Sequence, residues 1–104
     1  QTLDANDYRR LVGEAVMAAR TGKRDEALSK LRTMERRYGD AAHYQYAEIY
    51  AQLGQADQAF EQLELAWTAR DPGLAGARVD PFLDPLRGDP RFSAIEGRLN
   101  FPRR

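Results

Sequence analysis

Shifted by 32 residues the chain lies on itself, Ala15 over Ala47, Ala19 over Ala51, Gly22 over Gly54, Asp25 over Asp57, Ala27 over Ala59 and Leu31 over Leu63. A unit of this length cannot bury its own apolar face, so copies become stable only by stacking on one another. Small residues recur where two helices would cross. Alanine at Ala15, Ala27, Ala47 and Ala59 lets backbones approach, and a larger side chain would push them apart.

Each copy divides into two helical patterns, and no stretch alternates as a strand would. Tyr8, Leu11, Val12, Ala15, Val16, Ala18 and Ala19 form one apolar face over about 5–21, ended by Gly22. Ala27, Leu28, Leu31, Met34 and Tyr38 form a second, opened by the acidic Asp25 and Glu26 and closed by Gly39. Asp40 is the expected N-cap of a third helix carrying Tyr46, Ala47, Tyr50 and Leu53 and stopped by Gly54. A fourth carries Ala56, Ala59, Phe60, Leu63, Ala66 and Trp67 up to Asp71-Pro72-Gly73. Connections of two to four residues make neighbouring helices antiparallel.

The pattern resembles the tetratricopeptide repeat (TPR). His43, Tyr46, Ala47 and Tyr50 stand in its first-helix slots, Gly54 and Asp57 at its turn, and Ala59, Leu63 and Ala66 in its second-helix slots, with Pro72 one residue late. The first copy is more degenerate: Leu11, Ala15 and Ala18 match, Glu14 replaces an apolar residue, and Gly39 takes the place of the closing proline. The resemblance implies an all-α, right-handed helical-repeat solenoid in a single domain over 1–104. Repeat one covers about 5–39, repeat two about 40–72, and a C-terminal capping segment 73–104.

Within that last third, Asp80-Pro81, Asp84-Pro85 and Asp89-Pro90 each suit a helix start, aspartate capping free amides while proline fills the first helical position. Their crowding predicts short helical turns, then one longer helix from Pro90 to about Leu99 with Phe92, Ile95 and Leu99 on one face. The stretch from Val79 to Phe92 resembles the segment that closes such repeats in bacterial multidomain cyclases, kinases and transcriptional regulators. Phe82, Leu86, Phe92, Ile95 and Leu99 are expected to cover the fourth helix.

Little in the chain points to chemistry. Sixteen basic and sixteen acidic residues cancel, giving no general field for nucleic acid, and no apolar run has the ~20 residues of a membrane span. No cysteine is present, which removes disulfides and thiolate chemistry and leaves the compartment open. The chain begins with Gln1, as a processed protein or a piece of a longer one would. His43 is the sole histidine and occupies a packing slot; Asp57, Glu61 and Glu64 lie one turn apart on a polar, solvated face. Gly22, Gly39 and Gly54 are isolated helix stops rather than a phosphate loop. Fourteen arginines to two lysines is read as codon bias. The pairs Arg9-Arg10 and Arg36-Arg37 splay about 100° around a helix, and Arg103-Arg104 is expected to fray. Packing accounts for the aromatics Tyr44, Tyr46, Tyr50 and Trp67. No enzyme activity, cofactor or metal is expected.

By the TPR resemblance, the first helices of the repeats line a concave groove, here Arg9, Val12, Val16, Ala19 and Arg20 with Tyr44, Glu48, Ala51 and Gln52. An apolar floor with Tyr44 as anchor and Arg9, Arg20 and Glu48 at its edges suits an extended peptide or a helix. Val12 and Val16 stand where relatives that clamp a C-terminal carboxylate carry polar residues, so that mode is not expected. The expected function is a non-catalytic protein-interaction module; the alternative is an oligomerisation or spacer domain of a larger regulator, with self-association.

Overall fold

Four alanines set how closely the helices cross. Ala15, Ala27, Ala47 and Ala59 have no exposed surface in the computed structural model, which describes residues 5–99. The chain runs through α1 (Ala5–Arg20), α2 (Arg24–Tyr38), a 3₁₀ turn (Gly39–Ala42), α3 (His43–Gln52), α4 (Ala56–Thr68), two 3₁₀ segments (Pro72–Val79 and Pro81–Leu86) and α5 (Pro90–Leu99). There is no strand among the described residues, and none of their helices is long and apolar enough to cross a membrane. The side chain of Leu99 and the pair Arg103-Arg104 lie outside the described residues.

Three helix ends share one device. After α1, the Lys23 amide donates to Ala18 O (2.8 Å) and Gly22 to Ala19 O (3.3 Å); after α3, Gln55 donates to Tyr50 O (3.0 Å) and Gly54 to Ala51 O (3.1 Å). Both glycines take the left-handed φ that this closure needs, 82° and 77°. After α4, Asp71 donates to Ala66 O (2.9 Å), but Arg70 holds the left-handed position at φ 58°. A side chain there costs about 1–2 kcal/mol, partly offset by the smaller chain entropy it loses relative to glycine. Arg70→Gly is therefore expected to raise stability by about 0.5–1 kcal/mol, read as a higher denaturation midpoint. A lowered midpoint would contradict this geometry.

Asp40 does not cap the third helix. The chain makes a 3₁₀ turn over Gly39–Ala42, Asp40 stays exposed, and α3 begins at His43 without a side-chain cap. The Tyr46 hydroxyl donates back to Gly39 O (2.8 Å) and Met34 O (3.2 Å), and so satisfies the end of α2 instead.

α3 is the central element. On one side Tyr46 and Ile49 join Leu11, Ala15, Val16, Leu31, Met34, Tyr38 and Ala42 in a core shared with α1 and α2. On the other, Tyr44, Ala47 and Ala51 join Ala59, Phe60, Leu63 and Ala66 of α4. The sequence predicts one apolar face containing Tyr50 and Leu53; both are only half-buried, while Tyr44, Glu48 and Ala51 are buried. A third neighbour, absent from the helix-pair pattern, covers them: the 3₁₀ segment Pro81–Leu86, which packs along α3.

That segment belongs to a C-terminal third that completes the core. Leu74, Ala77, Leu83, Leu86, Phe92 and Ile95 are buried against Ala59, Phe60, Leu63 and Ala66. Leu86, Phe92 and Ile95 join the cluster that α3 and α4 share, whereas Phe82, expected on the fourth helix, packs against the α1–α2–α3 core. Asp80 and Asp89 start their elements, accepting from the amides of Phe82 and Arg91, both at 2.9 Å. Asp84 does not; Pro85 falls inside Pro81–Leu86, and Asp84 accepts from Arg87 Nε (2.7 Å). Asp71-Pro72 does the same work as Asp80-Pro81, its carboxylate taking the Gly73 amide at 2.9 Å. α5 is tied to α4 by Arg91 to Asp57 (2.8 Å) and a two-pronged Arg98 to Glu64 contact (2.7 and 2.6 Å). These pairs are exposed and screened by water, so buried apolar surface decides the docking.

A candidate groove between the first and third helices

The turn of α1 from Tyr8 to Gly13 and the turn of α3 from Gln45 to Glu48 face each other across a recess of about 420 Å³, lined by Tyr8, Arg9, Val12, Gly13, Gln45, Glu48 and Phe82. The wall residues on α1 recur at four-residue spacing and those on α3 at three, so each helix presents one face. Phe82 closes the recess from the C-terminal side. Its backbone is fixed on α3, because Gln52 Nε2 donates to Phe82 O (2.8 Å) and the neighbouring Asp80 carboxylate accepts from Tyr44 Oη (2.5 Å).

Of the groove residues expected from the sequence, Arg9, Val12 and Glu48 line this recess. Val16, Tyr44 and Ala51 are core residues, 3%, 4% and 1% exposed. The Tyr44 ring lies under Gly73, where an added Cβ would come within 2.8 Å of its Cδ2. Gln52 holds the capping segment, Ala19 is half-buried, and Arg20 is exposed at the end of α1 away from the recess. Tyr8, Gly13 and Gln45 were legible as the same helix faces continued by one turn; Phe82 carried no such signal.

Other recesses differ in build, among them one of about 330 Å³ between α4 and α5, lined by Asp57, Phe60, Glu64, Arg91, Ile95 and Arg98 among others. One of about 660 Å³ is lined by Trp67, Thr68, Arg70, Asp71 and Leu74, all from the end of α4 and the turn after it. Another of about 370 Å³ runs along the outer flank of α1. Unlike these, the α1–α3 recess draws its walls from α1, α3 and the capping segment together.

Its one buried ionisable carboxyl is Glu48, 8% exposed. Burial, then a hydrogen bond with Asp80, then the charges of Asp80 and Asp71 push its carboxyl up to about 9. Burial also acts on Asp80, but it is outweighed by hydrogen bonds from Glu48, Tyr44 and the Phe82 amide and by the Arg87 charge, which hold that carboxyl below its ordinary value. The two carboxyls therefore share one proton, carried by Glu48 at neutral pH. Arg87 Nη2 donates to Asp80 O at 2.7 Å and completes the arrangement.

A carboxyl whose folded value is raised binds its proton more tightly folded than unfolded. Its contribution to stability is full below the unfolded value, about 4.5, and is lost as pH rises through about 9. Stability should accordingly fall between pH 6 and 9, by up to about 1.4 kcal/mol per pH unit, and Glu48→Gln should flatten that slope. Equal slopes in the two proteins would contradict the shared proton.

Elsewhere polar side chains pair with one another. His43 Nδ1 lies 2.8 Å from Gln62 Oε1, Nε2 lies 3.4 Å from Asp40, and the ring stands edge-on to Tyr46. Asp57 and Glu64 are the partners of α5 described above. Among the described residues no three His, Asp or Glu side chains are grouped to hold a metal ion. No protein-family model, curated protein or solved structure matches the chain.

Proposed function

We propose that the chain is a short right-handed helical-repeat solenoid of the tetratricopeptide type, and that it binds an extended segment of another protein along the α1–α3 groove. The observation that carries this reading is the recess itself. Its walls come from equivalent helices of the two copies, it is largely apolar, and its volume suits a few side chains of a peptide. The repeat reading draws further support from the C-terminal third. Both arginine contacts from α5 to α4 span 34 positions, the length of one such repeat. The 3₁₀ segments then take the place of a third first helix, broken by Pro72, Pro81 and Pro85.

Stacking of a second copy on the outer flank of α1 is the less favoured use. The 32-residue shift sets Arg10, Glu14 and Met17 where the 3₁₀ turn and α3 carry Ala42, Tyr46 and Ile49 against their neighbours. Arg10 and Glu14 pair with each other, and Lys30 pairs with Glu14, so only Met17 offers apolar surface there.

Gly13 provides the test, because a Cβ at this position meets nothing within 4 Å. Gly13→Trp keeps or improves the helix, since glycine costs about 1 kcal/mol in a helix interior, and it fills the mouth of the groove. Immobilised protein is expected to retain a subset of capped hexapeptides from a mixed library, and Gly13→Trp to lose them at least tenfold with an unchanged or higher Tm. Equal retention by the variant would remove the groove from the account.

A further inference from the structure

Glu48 does not need to be acidic to hold the capping segment. Its role toward Asp80 is that of a hydrogen-bond donor, which a glutamine amide would fill at no risk of a buried charge. Yet a carboxyl stands there, in the wall of an open groove, nine-tenths buried and with the carboxylates of Asp80 and Asp71 close enough to act on it. The groups around it are Asp80 and Arg87 of the capping segment, Asp71 after α4, Tyr44 of α3, and Tyr8 and Arg9 of α1. Arg87 is committed to Asp84 and to the backbone oxygen of Asp80. Arg9 has no ion-pair partner among the described residues but is exposed at the rim, where water screens it. Arg87 therefore serves Asp80, and Glu48 has no cation paired with it among the described residues.

We infer that the groove selects a lysine or arginine side chain of an extended peptide, seated against Glu48 with its stem over Val12 and Phe82. The inference rests on the groove being a protein-binding surface and specifies the residue it selects. On seating, the Glu48 O–H bond breaks, its proton goes to solvent, and the carboxylate left behind pairs with the ligand's ammonium or guanidinium. A buried pair formed this way is stronger than one at the rim, so the cation at Glu48 outweighs repulsion from Arg9. The ligand's aliphatic stem matches the apolar lining, as lysine and arginine stems cover such surface elsewhere.

The experiment uses four pools of acetylated, amidated hexapeptides whose central residue is fixed as lysine, arginine, norleucine or glutamate. At pH 8 the lysine and arginine pools are expected to bind at least tenfold more tightly than norleucine, and the glutamate pool least. Because one proton is released, that preference should shrink up to tenfold for each pH unit below 8. Glu48→Gln keeps a donor toward Asp80 and hence the fold, and should bring the lysine and arginine pools down to norleucine with no dependence on pH. If norleucine binds as well as lysine, or the variant retains the preference, the cation site is wrong and the groove stands. If no pool binds the wild-type protein, both are wrong.

Discussion

A chain ending after Arg78 is expected to lose its cooperative unfolding transition altogether. The segment removed contributes Leu83, Leu86, Phe92 and Ile95 to the core, none more than 4% exposed. Truncating one such side chain costs about 2–5 kcal/mol, and a domain of this size has about 5–15 kcal/mol in total. The deletion also bares the face of α3 that carries Tyr44 and Glu48 and the face of α4 that carries Phe60 and Leu63. The truncated chain should bind a hydrophobic dye, keep much of its helical circular dichroism and melt without a sharp midpoint. A soluble truncation with a cooperative melt would show that the two helix pairs are self-sufficient and that the C-terminal third is an addition.

Ala59→Leu should be strongly destabilising for so conservative a change. Ala59 is fully buried where α4 meets α3, and three added heavy atoms have no cavity to enter. Overpacking of this kind costs about 1–3 kcal/mol, roughly a 5–20 °C fall in Tm for a domain this small. The equivalent change in the first copy, Ala27→Leu, should cost a similar amount, because Ala27 is equally enclosed. A tolerated leucine at either position would mean that the helices do not cross there.

The helix pairs were legible because their signals are local. Period, left-handed glycines at Gly22 and Gly54, and small residues at crossings all act within one unit, and the four alanines fall where the repeat sets them. Asp40 misled because a good capping residue competes with the packing of Ala42, which pulls the chain into a 3₁₀ turn before α3 can start. Asp84 misled for a related reason: proline suits a helix start, but Leu83 and Leu86 are both buried and carry the 3₁₀ turn through Pro85. The site was half legible. Arg9, Val12 and Glu48 follow from the face of each first helix, whereas the burial of Tyr44 and the position of Phe82 depend on a segment some 35 residues away that no periodicity announces. The acidity of Glu48 shows the same limit, since Asp71 and Asp80 lie far from it along the chain and meet it only in the folded protein.

The central claim is that the face shared by α1 and α3 is the working surface of the protein. Titrating ¹⁵N-labelled protein with the tightest-binding of the capped hexapeptides, while following its amide resonances, tests it directly. The account predicts that the largest shifts fall on Tyr8, Arg9, Val12, Gly13, Gln45, Glu48 and Phe82, with α2 and the outer face of α4 unmoved. Shifts centred on Leu65 and Trp67, or on Met17 at the outer flank of α1, would contradict it.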